Sequence, residues 1–308
     1  MAAANGLEGV VAPVLTPFDG NGAPDAERFL AHARWLLAEG CTGLAPFGTT
    51  SEAASLGLEE RARLLDALID GGIPSAQLMP GTGLTSVPDS VKLASQAAAH
   101  NVAGVLMLPP FYFKGVSDDG IFAHIAEVIE QVGNANLRVY LYHIPPVAQV
   151  GFSLQLIERL RKAYPSAIVG LKDSSGEWAN TAAVIEKNPG FDVFAGSEVF
   201  LLQTLRAGGV GCITASANVN PSGIRRVFDN WETDDADAFQ KDITETRNTV
   251  QAYPMIPALK AIKAAMLNDS AWSAPRPPLE PLDAADAAAL VNALEQKHGF
   301  AIRTRTAA

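Results

Sequence analysis

Eight short apolar runs, each followed by a longer stretch with helical spacing, restrict this chain to very few architectures. The runs cover residues 10–15, 43–47, 78–81, 104–108, 139–142, 168–172, 193–195 and 209–214. Each is apolar enough to be buried on both faces, as strands of a parallel sheet covered by helices are. Between them, apolar residues recur at steps of three and four: Phe29, Leu30, Ala33, Leu36 and Leu37 mark one face of a helix over 25–39. Segments 59–70, 86–100, 119–132, 154–164 and 179–187 read the same way. Eight strand–helix cycles predict an α/β fold, a (β/α)8 TIM barrel. An open doubly wound sheet is the alternative, but no glycine-rich dinucleotide fingerprint follows the first run. After Asn230 only helical patterns remain, interrupted by a proline-rich connection at 274–281. The expected organisation is a barrel over residues 1–230 with a C-terminal helical appendage over 231–308.

With 48% hydrophobic and 18% charged residues among 308, the chain is globular. No apolar run approaches the ~18 uninterrupted residues of a membrane helix, so no membrane partner is expected. A net charge of −10, without Lys/Arg blocks interleaved with aromatics, argues against nucleic acid. Met1 to Gly6 shows no basic region ahead of an apolar segment, so no secretory signal is read and a cytoplasmic setting is expected. Cys41 and Cys212 each sit in an apolar stretch, as small buried residues do, rather than in a disulfide framework, a metal site or a nucleophile's setting. The five histidines are scattered without metal-ligand spacing, and no metal is expected.

Lys172 stands out among the lysines. It closes the apolar run Ile168-Val169-Gly170-Leu171 and precedes Asp173-Ser174-Ser175-Gly176. A strand end in an apolar interior strips water from an ammonium and favours the neutral amine, which is a nucleophile. The alternative is a lysine that caps the strand by pairing with Asp173. Lys92, Lys162, Lys187, Lys241, Lys260, Lys263 and Lys297 lie in helix-like stretches, where a solvated face explains them. In a barrel the chemistry lies at the C-terminal strand ends. Gly48-Thr49-Thr50-Ser51-Glu52 follows the second strand and offers hydroxyls and N–H groups to a carboxylate, or else a simple capping turn. Tyr142 ends the fifth run, with its hydroxyl either in the barrel mouth near Lys172 or as a satisfied core group. His143 points to the opposite face and is read as structural.

These stretches resemble, in order from about Gly9 to Asn230, the pyruvate-dependent class I aldolases that include dihydrodipicolinate synthase and N-acetylneuraminate lyase. The resemblance rests on Leu15-Thr16-Pro17-Phe18, Gly48-Thr49-Thr50-Ser51-Glu52, Tyr142-His143-Ile144-Pro145 and Gly170-Leu171-Lys172-Asp173. It implies that Lys172 forms a Schiff base with pyruvate or another 2-oxo acid and that Tyr142 shuttles protons. Thr49 and Thr50 would hold the carboxylate on the turn opened by Gly48. Ile213 would line the pyruvate pocket, and Gly196, Ser197 and Glu198 would form the loop that meets substrate hydroxyls, unless Ser197 and Glu198 simply cap the next helix. Tyr112 would be lent to a neighbouring subunit's proton relay, so the resemblance implies a homo-oligomer, dimer or tetramer. The iminium chemistry requires no cofactor.

Departures from that pattern bear on the substrate. Val147 falls where dihydrodipicolinate synthases carry an arginine for the second substrate's carboxylate. Losing a buried charged hydrogen bond costs roughly 1.5–3 kcal/mol, or about one to two decades in rate. Leu58 and Arg61 replace the histidines of the lysine-inhibition site, so no such feedback is expected. Ser51 and Gln149 change the pocket rim. The leading expectation is an aldolase or lyase acting on a 2-keto-3-deoxy sugar acid or a related 4-hydroxy-2-oxo acid. The rivals are 4-hydroxy-tetrahydrodipicolinate (dihydrodipicolinate) synthase, a related dehydratase, and a non-catalytic paralogue that senses a 2-oxo acid.

Overall fold

The computed structural model describes residues 6–302. Residues 1–5, in which no secretory signal was read, and residues 303–308 of the expected appendage lie outside the described residues. Among the described residues seven parallel strands are present: β1 (Gly9–Ala12), β2 (Gly43–Leu44), β3 (Val105–Met107), β4 (Val139–His143), β5 (Ile168–Asp173), β6 (Asp192–Ala195) and β7 (Gly211–Ile213). They form one sheet in the order β2-β1-β7-β6-β5-β4-β3. The eighth stave is the run 78–81, which joins the two ends of the sheet through single parallel bridges, Leu44 with Leu78 and Gly81 with Leu106. Met79 N and Gly81 N donate to Leu44 O and Pro46 O, both at 2.8 Å, and Leu106 N donates to Pro80 O at 2.9 Å. The expected third strand is therefore not a continuous ladder. Pro80 has no N–H to give to β3, and a proline is poorly tolerated in a central strand. The ring nonetheless closes, and the barrel is complete.

Helices follow the strands: α1 (Ala26–Ala38), α2 (Leu58–Asp70), α3 (Val87–Ala99), α4 (Asp118–Val132), the one-turn α5 (Pro145–Ala148), α6 (Leu154–Ala163), α7 (Trp178–Lys187), α8 (Leu201–Arg206) and α9 (Pro221–Asp229). Their starts are written locally. Asp25, Ser86, Ser117 and Ser153 each accept a backbone N–H from the first turn of α1, α3, α4 and α6, the exchange that makes these residues good N-caps. Outward strand residues such as Val10, Val139, Leu141, Leu171 and Val193 pack against the helices in one large core. Inward residues Val11, Ala45, Met79, Leu106, Tyr140, Phe194 and Ile213 fill the barrel. Strand β5 contributes Gly170 to that layer, because a Cβ there would lie 2.3 Å from the Tyr140 ring. Two residues further along, the next inward positions are Tyr142 on β4 and Lys172 on β5, which are register partners.

Three more helices follow: α10 (Ala236–Gln251), α11 (Met255–Leu267) and α12 (Ala284–His298). They share a second apolar cluster with Leu15 and Val219. The solvated-face reading fails for two lysines here. Residues 257–263 of α11 are all buried, Lys260 and Lys263 with them. Lys260 Nζ lies 2.6 Å from Glu52 and 4.4 Å from the Phe18 ring centroid, and it donates to Thr16 O and Ala274 O. Lys263 Nζ lies 3.4 Å from the Trp35 ring centroid. A helix packed on nearly all its faces loses the polar stripe by which sequence periodicity is read. Among the described residues no helix is long and apolar enough to cross a membrane.

Candidate active site

At the C-terminal ends of the strands lies a cavity of about 500 Å³. Its floor holds Lys172, Tyr142, Thr49 and Thr50. Lys172 is 4% exposed, and its Nζ sits 4.2 Å from the Tyr142 ring centroid. The alternative of a strand cap paired with Asp173 does not hold. Asp173 points outward, where its carboxylate accepts from Ser175 N at 2.8 Å, Asn180 Nδ2 at 2.9 Å and Thr181 Oγ1 at 2.7 Å. Among the described residues Lys172 forms no ion pair with a carboxylate. A buried amine without a counter-ion, above an aromatic face, is poised for chemistry rather than for a structural pairing.

The Tyr142 hydroxyl and Thr49 Oγ1 are hydrogen-bonded at 3.1 Å. This joins β4 to the turn after β2: Tyr142 is buried, hydrogen-bonded and part of the cavity lining, and the N-cap position of the next short helix is Glu52 rather than Thr49 or Thr50. The turn is held from below. Thr16 Oγ1 donates to Ser51 O at 2.8 Å, and Glu52, in the left-handed region at φ 57°, sends its carboxylate to Lys260. His143 is structural, as read: it is buried, its Nδ1 accepts from Phe152 N at 3.0 Å, and burial lowers its pKa.

Other expected site residues distribute differently. Gly196 and Ser197 line the cavity. Gly196 must be glycine, since a Cβ would meet Ser174 Oγ at 2.0 Å and Asp173 O at 2.6 Å. Ser197 Oγ also accepts from Val199 N, so it caps the short turn Glu198–Phe200. Glu198 is 1% exposed and lies behind the wall, where its Oε2 accepts from Thr214 Oγ1 and from Arg247 Nη1. Ile213 packs in the barrel interior rather than among the cavity-lining residues. Gly48 faces a second, apolar chamber of about 280 Å³, which shares Thr49, Tyr142, Ile144 and Val147 with the first. Arg61 also lines that chamber, and burial pushes its guanidinium down to about 10. Tyr112 is 76% exposed beside the exposed Phe113 and bonds none of these residues within the chain.

Sequence reasoning missed the far wall. Arg247, Asn248 and Gln251 of α10 reach the cavity from the helical appendage. Nothing in the local pattern of α10 sets them apart from a solvated helix face. Burial pushes the Cys41 thiol up to about 12 and Cys212 well above its ordinary range, so neither is a ready nucleophile. Among the described residues no three His, Cys, Asp or Glu side chains gather as a metal set.

The sequence profile of the dihydrodipicolinate synthetase family matches residues 6–297. An uncharacterised DapA-like lyase of Chloroflexus aurantiacus is 33% identical over 255 residues, covering 82% of this chain and 85% of the relative. The 4-hydroxy-tetrahydrodipicolinate synthase of Agrobacterium fabrum is 33% identical over 216 residues, covering 70% of this chain and 72% of that one. The crystal structure of dihydrodipicolinate synthase from Agrobacterium tumefaciens superposes with a TM-score of 0.86 at 32% identity, over 94% of this chain and 99% of the other. A prophage protein of the dihydrodipicolinic acid synthase family from E. coli, solved in complex with pyruvate, gives 0.84 at 26% identity, over 94% and 98%.

Proposed function

The chain belongs to the dihydrodipicolinate synthetase family of pyruvate-dependent lyases and aldolases, and from that premise we propose that it is a Schiff-base aldolase acting through Lys172. The buried Lys172 amine beside the Tyr142–Thr49 hydrogen bond carries this reading. The neutral amine attacks C2 of pyruvate, water leaves, and the resulting iminium acidifies C3. Loss of a C3 proton gives an enamine, whose C3 attacks an aldehyde carbon while a proton goes to the aldehyde oxygen. Water then releases a 4-hydroxy-2-oxo acid and restores the amine; cleavage runs the same steps in reverse. Tyr142, linked to Thr49, is the group suited to carry these protons, and Thr49 and Thr50 supply donors for the pyruvate carboxylate. The substrate is a 2-keto-3-deoxy sugar acid or a related 4-hydroxy-2-oxo acid.

Val147 is 62% exposed and offers no donor, which weighs against aspartate semialdehyde as the electrophile and so against the synthase. A dehydratase would use the same iminium and expel a hydroxyl instead. The exposed Tyr112, Phe113, Val116 and Val147 support a homo-oligomer, dimer or tetramer, in which Tyr112 is lent to the neighbour's relay. Two buried, unpaired cysteines agree with a reducing, cytoplasmic setting.

The test is trapping. Incubation with pyruvate and borohydride, followed by intact mass and peptide mapping, is expected to give a reduced adduct on Lys172 that Lys172→Ala abolishes. No adduct with pyruvate or longer 2-oxo acids would favour the non-catalytic reading.

A further inference from the structure

Pyruvate fills only part of the cavity. Its six non-hydrogen atoms, given even a water's share of about 30 Å³ each, take less than half of the roughly 500 Å³ available. The remainder is bounded on one side by Ser197 and by Arg247, Asn248 and Gln251 of α10. Arg247 is 14% exposed and fixed along one edge. Its Nη1 donates to Glu198 Oε2 at 3.2 Å, Thr214 Oγ1 at 3.3 Å and Ser216 Oγ at 3.2 Å, and its Nε donates to Gln251 Oε1 at 3.3 Å. Gln251 Nε2 in turn donates to Asn248 Oδ1 at 2.8 Å. These bonds engage Glu198 Oε2, Gln251 Oε1 and Asn248 Oδ1, and the unbonded Glu198 Oε1 is buried behind the cavity lining. Among the described residues, Arg247 Nη2 and Asn248 Nδ2 have no partner, and both are donors.

From this imbalance we infer that the far wall is a carboxylate site: the substrate is a 2-oxo diacid whose distal carboxylate meets Arg247 Nη2 and Asn248 Nδ2. A hydroxyl at that end would need an acceptor as well as a donor, whereas a carboxylate only accepts. The charges agree. Lys172 serves the near end and Arg247 the far end, Asp173 is engaged by Ser175, Asn180 and Thr181, and Glu198 takes only one nitrogen of Arg247. Val147, which lines the same cavity, is apolar and offers no donor, so the distal carboxylate is recognised from α10 instead.

This inference rests on the iminium reading, and the test separates the two. Native protein is trapped with borohydride in the presence of pyruvate, 2-oxoadipate or 2-oxohexanoate, the last two being of equal length and differing only at the distal end. 2-Oxoadipate is expected to half-saturate Lys172 at a concentration at least tenfold below that of 2-oxohexanoate, the size of one charge-assisted hydrogen bond. Arg247→Gln should abolish most of that preference while pyruvate trapping is kept. Asn248→Asp, at an exposed position and adding a negative charge, should reverse it. If Arg247→Gln no longer traps pyruvate, Asn248→Asp decides. Pyruvate trapping without a diacid preference, or a preference that survives both substitutions, overturns the carboxylate site alone. No pyruvate adduct on native protein overturns the iminium reading and this one with it.

Discussion

Replacing Lys260 with methionine tests whether the turn bearing Thr49 and Thr50 is held by a charge buried in α11. Both side chains of the Lys260–Glu52 pair are 0% exposed at 2.6 Å. Methionine keeps the stem and its contact with Phe18 but removes the ammonium. The Glu52 carboxylate is then left in the interior with the Arg276 N–H at 2.8 Å as its remaining hydrogen bond. Stranding one member of a buried pair costs about 3–5 kcal/mol. Glu52→Gln should cost less, because the ammonium keeps Thr16 O, Ala274 O and the Phe18 face, and the amide oxygen can still accept from Arg276 N. The double variant, with no stranded charge, should be more stable than Lys260→Met alone.

With an unfolding entropy of about 2.1 cal/mol/K per residue, a chain of 308 residues shifts Tm by about 1.5 °C per kcal/mol, so scanning calorimetry should find a drop on the order of 5–8 °C for Lys260→Met. Partial recovery is expected in the double variant. Because Glu52 has left-handed backbone at φ 57° and ends the turn that starts at Thr49, loosening it should raise KM for pyruvate more than it lowers kcat. A Tm change below about 2 °C, or additive losses in the double variant, would refute the reasoning: the pair would then be idle and the turn held by Thr16 alone.

Tyr142→Phe keeps the ring beside Lys172 but removes the hydroxyl bonded to Thr49; kcat should fall about 10²–10⁴-fold in steady-state assays, and undiminished turnover would remove Tyr142 from the proton path. Stability should fall on acidification below about pH 6.5, because burial lowers the pKa of His32, His124 and His143 in the fold. The unfolded chain then takes up protons that the fold refuses, at up to about 1.4 kcal/mol per pH unit for each histidine. Urea titrations from pH 7 to 5 should show this slope, flattened in His32→Asn. Glu60, held down to about 2 by its hydrogen bond to Arg276, acts in the same direction: its contribution, full above its unfolded value, is lost as pH falls toward 2. Arg276 ties the 274–281 connection to Gly22 O, Ser55 O and Glu60; Arg276→Ala should speed proteolytic nicking within 274–281, and an unchanged digestion rate would show that the clasp is dispensable.

The barrel was legible in the sequence because parallel strands covered on both faces must be nearly continuous apolar runs, and helices between them must show a stripe. Lys172, Tyr142 and Thr49 were legible for a related reason: each is a polar residue where such a run ends, and strand ends converge at one mouth. The sequence therefore determined the architecture and the floor of the cavity. Tertiary structure alone decided the rest. Pro80 interrupts a stave that still closes the ring through its neighbours' hydrogen bonds. Lys260 looked like surface until Glu52 met it in the interior. Glu198, read as a substrate contact, turned away to Thr214 and Arg247, the latter 49 residues further along the chain. Periodicity reports which face of an element is apolar; it carries no information on which distant polar side chain arrives opposite, and that pairing is set by how whole elements pack.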